Sequence, residues 1–311
     1  RYKDFIINCK LALVNMLSIL IPTYNHSIVA LVKGIHQQAT KAKIPFEILV
    51  LDDCSTDLKI TIDNERIKKL NFCSLQKNEK NLGRTASRNF LASKASYELL
   101  LFLDADVLPK YDDFIDRFEL HKMKNSKIIF GGVCYKLEKP SKDLILRWKY
   151  GHKRETKSVK ERNKNSYTIV SSSLLIDKKV FFKNNTSKSN TYGLDILFSG
   201  NLQKNRVKVK HIDNPVYHLG LEKNSAFLKK SLEAVKSTYL LEKNSQIEKD
   251  IRPLQKSYQK LKKWNLITLV NLVLNQFYKV IESNLLSNHP SMFLFDLYRL
   301  NYLIELKKNK N

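Results

Sequence analysis

From Leu17 onward the chain alternates short, continuous apolar runs with stretches whose apolar residues recur at helical spacing. Residues 17–21, closed by Pro22, predict a first strand, and Ile28, Leu31, Val32 and Ile35 predict a helix within 27–41. Residues 46–51 predict a second strand that stops at Asp52 and Asp53, and residues 72–75 predict a weaker third. A turn at Asn81-Leu82-Gly83 leads into a helix over 84–95, and residues 98–103 make the strongest strand, ending in Asp104-Ala105-Asp106. Uninterrupted runs suit parallel strands buried on both faces. The β-α-β-α order predicts an open, mostly parallel α/β sheet with helices on both sides, whose ligands bind beyond the carboxyl ends of the strands. Three polar clusters fall at such ends: Thr23-Tyr24-Asn25, Asp52-Asp53-Cys54-Ser55 and Asp104-Ala105-Asp106.

The second half is less regular. The pattern predicts a helix near 111–122, a strand over 127–135 containing Gly131-Gly132, and a helix around 144–150 followed by a charged, mobile loop to 165. A strand over 167–176, a helix over 192–203 and a strand over 207–212 follow. Beyond Gly220 the spacing is helical, with Phe227, Leu228, Leu232, Val235 and Tyr239 on one face and further helices over 264–281 and 291–306. Residues 16–220 are expected to form the globular domain, as a nucleotide-binding half (16–110) and an acceptor half (111–220), with 221–311 a helical C-terminal region. Met16 directly precedes the first strand, so residues 1–15 read as an extension ahead of a start there.

Composition narrows the class. With 43% hydrophobic residues the chain can bury a sizeable core, and 55 Lys and Arg against 30 Asp and Glu give a net charge of +25. The excess is +5 over residues 1–135, +12 over 136–218 and +8 over 219–311, so it is smallest where the strand-end clusters lie. Nucleic acid, an anionic membrane surface or a phosphate site would each use such a field, as would a merely solvated lysine surface. No nucleic-acid recognition motif accompanies the charge, and no nucleic-acid partner is expected. Cys9, Cys54, Cys73 and Cys134 are scattered without metal-binding spacing, which fits a reducing cytoplasm. No run of 18 purely apolar residues exists, and the segment 264–281 is interrupted by Asn265, Asn271, Asn275, Gln276 and Lys279, as a buried or interfacial helix would be.

Asp104 and Asp106, two apart at a strand end, project to the same side and repel unless a cation or proton lies between them. Mn²⁺ or Mg²⁺, which takes carboxylate and phosphate oxygens, is the cofactor this pair implies. Asp52 and Asp53 follow the second strand, where a carboxylate either accepts from a base or ribose or caps a turn. Neither G-x-G-x-x-G nor a P-loop is present.

These residues carry a family resemblance. The stretch from Leu17 to Asn25, then Asp52-Asp53-Cys54-Ser55, Asn81-Leu82-Gly83-Arg84 with Arg88-Asn89, and Leu103-Asp104-Ala105-Asp106 resemble the family 2 glycosyltransferases of GT-A fold. Their order and spacing over 17–110 match that family, and weaker resemblance continues through Gly131-Gly132, 146–151, Tyr192-Gly193 and 212–220, as in the Bacteroidetes-type surface-polysaccharide subgroup. The resemblance implies a Rossmann-like, mostly parallel central sheet flanked by helices, with a helical C-terminal extension. It implies an inverting, metal-dependent enzyme that moves a sugar from a nucleotide diphosphate sugar to a saccharide or lipid-linked saccharide acceptor in surface-polysaccharide synthesis. By the same resemblance Thr23, Tyr24 and Asp53 hold the base and ribose, with Arg84 beside them. Asp104 and Asp106 form the D-x-D site with Asp106 the direct metal ligand, and His218 contacts metal or diphosphate or else caps a strand end.

The catalytic base is the departure. The family supplies it from a Gly-x-Glu-Asp stretch, whereas this chain reads Tyr192-Gly193-Leu194-Asp195. Asp195 is expected as the base, with an ordinary first-turn helix acid as the other reading. The missing Glu leaves a degenerate member that binds nucleotide sugar with little transfer as the alternative. Arg147, Trp148, Lys149 and Tyr150 line an acceptor path or pack a loop, and the basic stretch 153–164 closes over the diphosphate or is solvated. Aromatics among lysines in the C-terminal helices allow peripheral contact with the inner face of the cytoplasmic membrane, or core packing.

Overall fold

The apolar runs pair as parallel strands, in register, at the centre of a mixed α/β sheet. A computed structural model describes residues 16–120, 123, 126–167, 169, 172–186 and 195–308. The expected extension 1–15 and the Tyr192-Gly193-Leu194 stretch lie outside them. The described residues group into two compact units, one within Arg1–Cys134, Thr156–Asn190 and Phe198–Gly220, the other within Tyr135–Glu155, Thr191–Leu197 and Leu221–Asn311.

In the first unit, β1 (Leu17–Thr23), α1 (Val29–Lys41), β2 (Phe46–Asp52), α2 (Leu58–Asn64), β3 (Cys73–Lys77), α3 (Arg84–Lys94) and β4 (Leu99–Leu103) follow the predicted order within a few residues. Ile19 sits level with Ile48 on one side and Leu101 on the other, and all five residues of β4 are buried, so the centre of the sheet excludes water on both faces. The strands β5 (Val107–Pro109), β6 (Ile128–Phe130), β7 (Val133–Cys134), β8 (Ser173–Asp177), β9 (Val209–His211) and β10 (Val216–His218) complete two sheets. The larger runs β3-β2-β1-β4-β8-β6-β9, with only β8 antiparallel to its neighbours, and the smaller runs β5-β10-β7.

Three expectations are corrected. Residues 111–120 form turns and one 3-10 turn at Asp116–Phe118 rather than a helix. Phe114, Ile115 and Phe118 are buried, as the spacing implies. However, side chains from elsewhere take the backbone groups: Gln38 accepts from Ile115 N and donates to Tyr111 O, and Asn214 donates to Phe114 O. The strand over 127–135 is two strands in different sheets, because Gly132 turns the chain at φ +103°, a conformation open to glycine. The charged stretch after 155 is an ordered helix, α5 (Val159–Asn163), with a Ser158–Glu161 capping box. Arg162 is buried there, donating to the carbonyls of Lys157, Phe130 and Ile212.

In the second unit α4 (Ile145–Tyr150) runs into a π-helical turn at Gly151–Glu155. Arg147 pairs with Glu155 at 3.1 Å, Trp148 donates to Lys136 O, Lys149 donates to Pro290 O, and Tyr150 packs on Phe227 and Phe295. These four side chains are thus packing residues. After α6 (Lys178–Asn184) and α7 (Asp195–Lys204), the C-terminal helices are α8 (Asn224–Lys243), α9 (Pro253–Lys263), α10 (Ile267–Gln276), α11 (Tyr278–Leu285) and α12 (Met292–Lys308). The helix expected over 264–281 is broken at Phe277, and α9 has no counterpart in the sequence reading, its apolar positions being too few among lysines.

Candidate active site

Four chain segments meet at the carboxyl end of the large sheet, and Asp53 ties two of them. It follows β2 and its backbone N–H donates to Thr23 O, which joins the ends of β1 and β2. Its carboxylate accepts from Leu82 N at 2.9 Å, Gly83 N at 2.7 Å and Asn78 Nδ2 at 2.7 Å. Two backbone N–H groups and an amide on one buried carboxylate fix the loop before α3. Gly83 completes the turn at φ +81°.

That loop aims α3. Arg84 and Arg88, four apart on one helix face, both reach Asp104: Arg84 to Oδ2 at 2.9 Å and Arg88 to Oδ1 at 2.5 Å. Burial works to raise the Asp104 pKa, but the two guanidinium charges outweigh it and hold the carboxyl below its usual 3.8. Asp104 is therefore a fixed anion with both oxygens occupied. Arg88 is buried under it, whereas more than half of Arg84 is exposed.

Asp106 is built differently. It lies between β4 and β5, where β10 pairs antiparallel with β5 and sets His218 opposite Val107. His218 Nε2 lies 3.4 Å from Asp106 Oδ2, and Leu219 N donates to Asp106 O at 2.8 Å. Gly220 follows so closely that a Cβ there would meet Asp106 Oδ2 at 2.0 Å; only glycine leaves the carboxylate this space. Among the described residues no three His, Cys, Asp or Glu side chains gather as a metal site. One carboxylate and one imidazole still fit Mn²⁺ or Mg²⁺ if substrate phosphates supply further oxygens, while Asp104 is committed to the arginines.

The expected residues thus fall into three groups. Arg84, Asp104, Asp106 and His218 come together. Thr23 and Asp53 adjoin them as organisers of the loops: the Thr23 hydroxyl donates to His26 O, and Asn25 Oδ1 accepts from Thr56 N and Asp57 N, holding the entry to α2. Tyr24 leaves its ring 49% exposed at this rim. Asp195 is the first residue of α7, in the second unit, and the stretch before it lies outside the described residues. Arg88 has no role in the sequence reading, although its spacing from Arg84 signals a shared helix face.

Known proteins similar to the chain were found by sequence and by structure. Over 91 residues, 29% of the chain, it is 35% identical to the poly(ribitol-phosphate) beta-N-acetylglucosaminyltransferase TarS of Staphylococcus aureus, and the match spans 16% of that protein. An uncharacterized glycosyltransferase of Haemophilus influenzae is 34% identical over 110 residues, 35% of this chain and 41% of that protein. The crystal structure of S. aureus TarS 1–349 superposes with a TM-score of 0.49 at 16% identity, covering 95% of this chain and 92% of that one. The same fragment in complex with UDP-GlcNAc gives 0.49 at 15% identity, over 94% and 91%. Residues 18–183, more than half of the chain and including the arginine-clamped strand end, match Glycosyl transferase family 2, and the chain belongs to that family.

Proposed function

We propose that the chain is a metal-dependent, inverting enzyme that moves a sugar from a nucleoside diphosphate sugar to a saccharide or lipid-linked saccharide acceptor in surface-polysaccharide synthesis. The observation that carries the proposal is the division of labour at the end of β4: Asp104 locked by Arg84 and Arg88, Asp106 left beside His218. Among the described residues Cys54, Cys73 and Cys134 are free thiols, which favours a reducing, cytoplasmic setting.

In this reading Tyr24 stacks on the nucleoside base, and the 78–83 loop held by Asp53 receives the ribose. Arg84, exposed and already charged against Asp104, turns toward the diphosphate. Asp106 and His218 would hold Mn²⁺ or Mg²⁺, which when bound would supply positive charge against the departing diphosphate. Asp195 takes the proton of the acceptor hydroxyl as its oxygen attacks the anomeric carbon. The new C–O bond forms opposite the breaking C–O bond to phosphate, so configuration inverts. The S. aureus relative named as an N-acetylglucosaminyltransferase supports a nucleotide-sugar donor.

The test is donor turnover with Mn²⁺ across nucleoside diphosphate sugars, with Asp106→Ala and Asp195→Asn. Loss in both supports the proposal. Turnover unchanged in Asp195→Asn removes Asp195 as the base. Metal-dependent thermal stabilisation by nucleoside diphosphate without turnover on any donor assigns the chain to the degenerate reading.

A further inference from the structure

The helix α10 is apolar on both sides. On its buried side Leu274 joins the apolar cluster of the second unit with Val270 packed against it, and between them Asn271, 3% exposed, donates to Asn301 Oδ1 at 3.1 Å and to Glu305 Oε1 at 2.5 Å on α12. Asn301 donates in turn to Asn275 Oδ1 at 2.8 Å. Its outer side carries Leu269, Leu272 and Val273, and the same stripe continues through Phe277 and Val280 at the start of α11. Leu272 is 70% exposed and Val280 65%. Their spacing places them on one side of two nearly continuous helices, where a globular protein normally presents polar residues to water.

The charge around this stripe is mostly positive, with Glu282 on α11 the acidic residue next to it in sequence. Residues 251–281 contain Arg252, Lys256, Lys260, Lys262, Lys263 and Lys279 and no Asp or Glu. Lys260, Lys262 and Lys263 are exposed in the last turn of α9, directly before the exposed Trp264. A second copy of the chain seated on the stripe across a two-fold axis would bring two sets of these cations together. Among the described residues no helix is long and apolar enough to cross a membrane. An apolar stripe flanked by lysines and an indole lies in the plane of a bilayer surface.

We infer that the outer face of α10 and α11, centred on Leu272 and Phe277, docks in-plane on a bilayer that contains anionic lipid, with the α9 lysines on the headgroups. The inference is independent of the glycosyl-transfer reading, since vesicle binding is measured without donor or acceptor.

Co-sedimentation of the full chain tests it, with vesicles of phosphatidylcholine alone and with roughly a third phosphatidylglycerol. The chain should pellet with the anionic vesicles, and less so as salt rises. Leu272→Gln with Phe277→Gln should weaken binding at least tenfold, roughly what removing that much buried apolar surface implies. Lys260→Gln with Lys263→Gln tests the same face without touching the stripe, and should weaken binding roughly 30-fold at low salt. Binding by the Leu272→Gln/Phe277→Gln variant equal to the parent overturns the inference, as does a parent that pellets with neither vesicle. A parent dimer that this variant dissolves, with no vesicle binding, also overturns it and assigns the stripe to a second copy.

Discussion

The strand-end cluster of the first unit and the α10–α12 contact of the second both bury polar side chains, and they do so to opposite ends. At β4, Asp104 is buried against Arg84 and Arg88, so that a fixed charge stands beside an open carboxylate, Asp106. At α10, neutral Asn271 and Asn301 occupy the interior, so that leucine, valine and phenylalanine stand outside. In the first, burying charge demands full pairing, because an unpaired ion there would cost several kcal/mol. In the second, amides bond to one another and to the partly exposed Glu305 and Lys308, at modest net gain per bond. A buried polar group organises both regions, in one by fixing a carboxylate beside another and in the other by joining two helices.

The comparison breaks first at Asp106. Asp106→Ala should lower donor turnover by about a thousandfold or more, equivalent to about 4 kcal/mol of transition-state stabilisation, while the melting curve stays near that of the parent. Arg88→Ala strands Asp104 with only the exposed Arg84, and urea denaturation should register a loss of roughly 3 kcal/mol. Asn271→Ala removes one donor from Asn301 and one from Glu305, at about 1–2 kcal/mol by the same measurement, less than Arg88→Ala because the Glu305 carboxylate keeps its bond from Asn275. Glu305 sharpens the contrast by pH. Its hydrogen bonds from Asn271 and then Asn275 depress its folded pKa below 4.5. The stability it contributes is therefore present above that value and is lost as pH falls through the folded pKa; acid titration of Asn271→Ala should show this loss reduced. Leu272→Gln is expected to change stability by less than about 0.5 kcal/mol, since the side chain is already in water.

Much of the first unit was legible because its strands are buried on both faces and its turns are punctuated by Pro22, Asp53 and Gly83. Continuous apolar runs then have one reading, and the polar residues that end them mark the ligand side. The segment 111–120 was not legible, since the spacing of Phe114, Ile115 and Phe118 records only a common buried side. Gln38 and Asn214, distant in sequence, take the backbone groups that a helix would have paired internally. Residues 264–281 misled in another way: they read as one buried or interfacial helix, whereas the helix breaks at Phe277 and its apolar residues divide between a buried and an exposed side.

At the candidate site the sequence determined the inventory, namely polar clusters at three strand ends, two of them with carboxylates, Arg84 and a late histidine. Tertiary structure decided their duties. Asp104 and Asp106 are chemically alike and two residues apart, yet α3 delivers two guanidinium groups to one, and β10 with Gly220 delivers an imidazole and open space to the other. Pairing in sheets and the aim of helices bring residues 16 to 112 positions apart together, and those neighbours, absent from any local pattern, give two like carboxylates different surroundings.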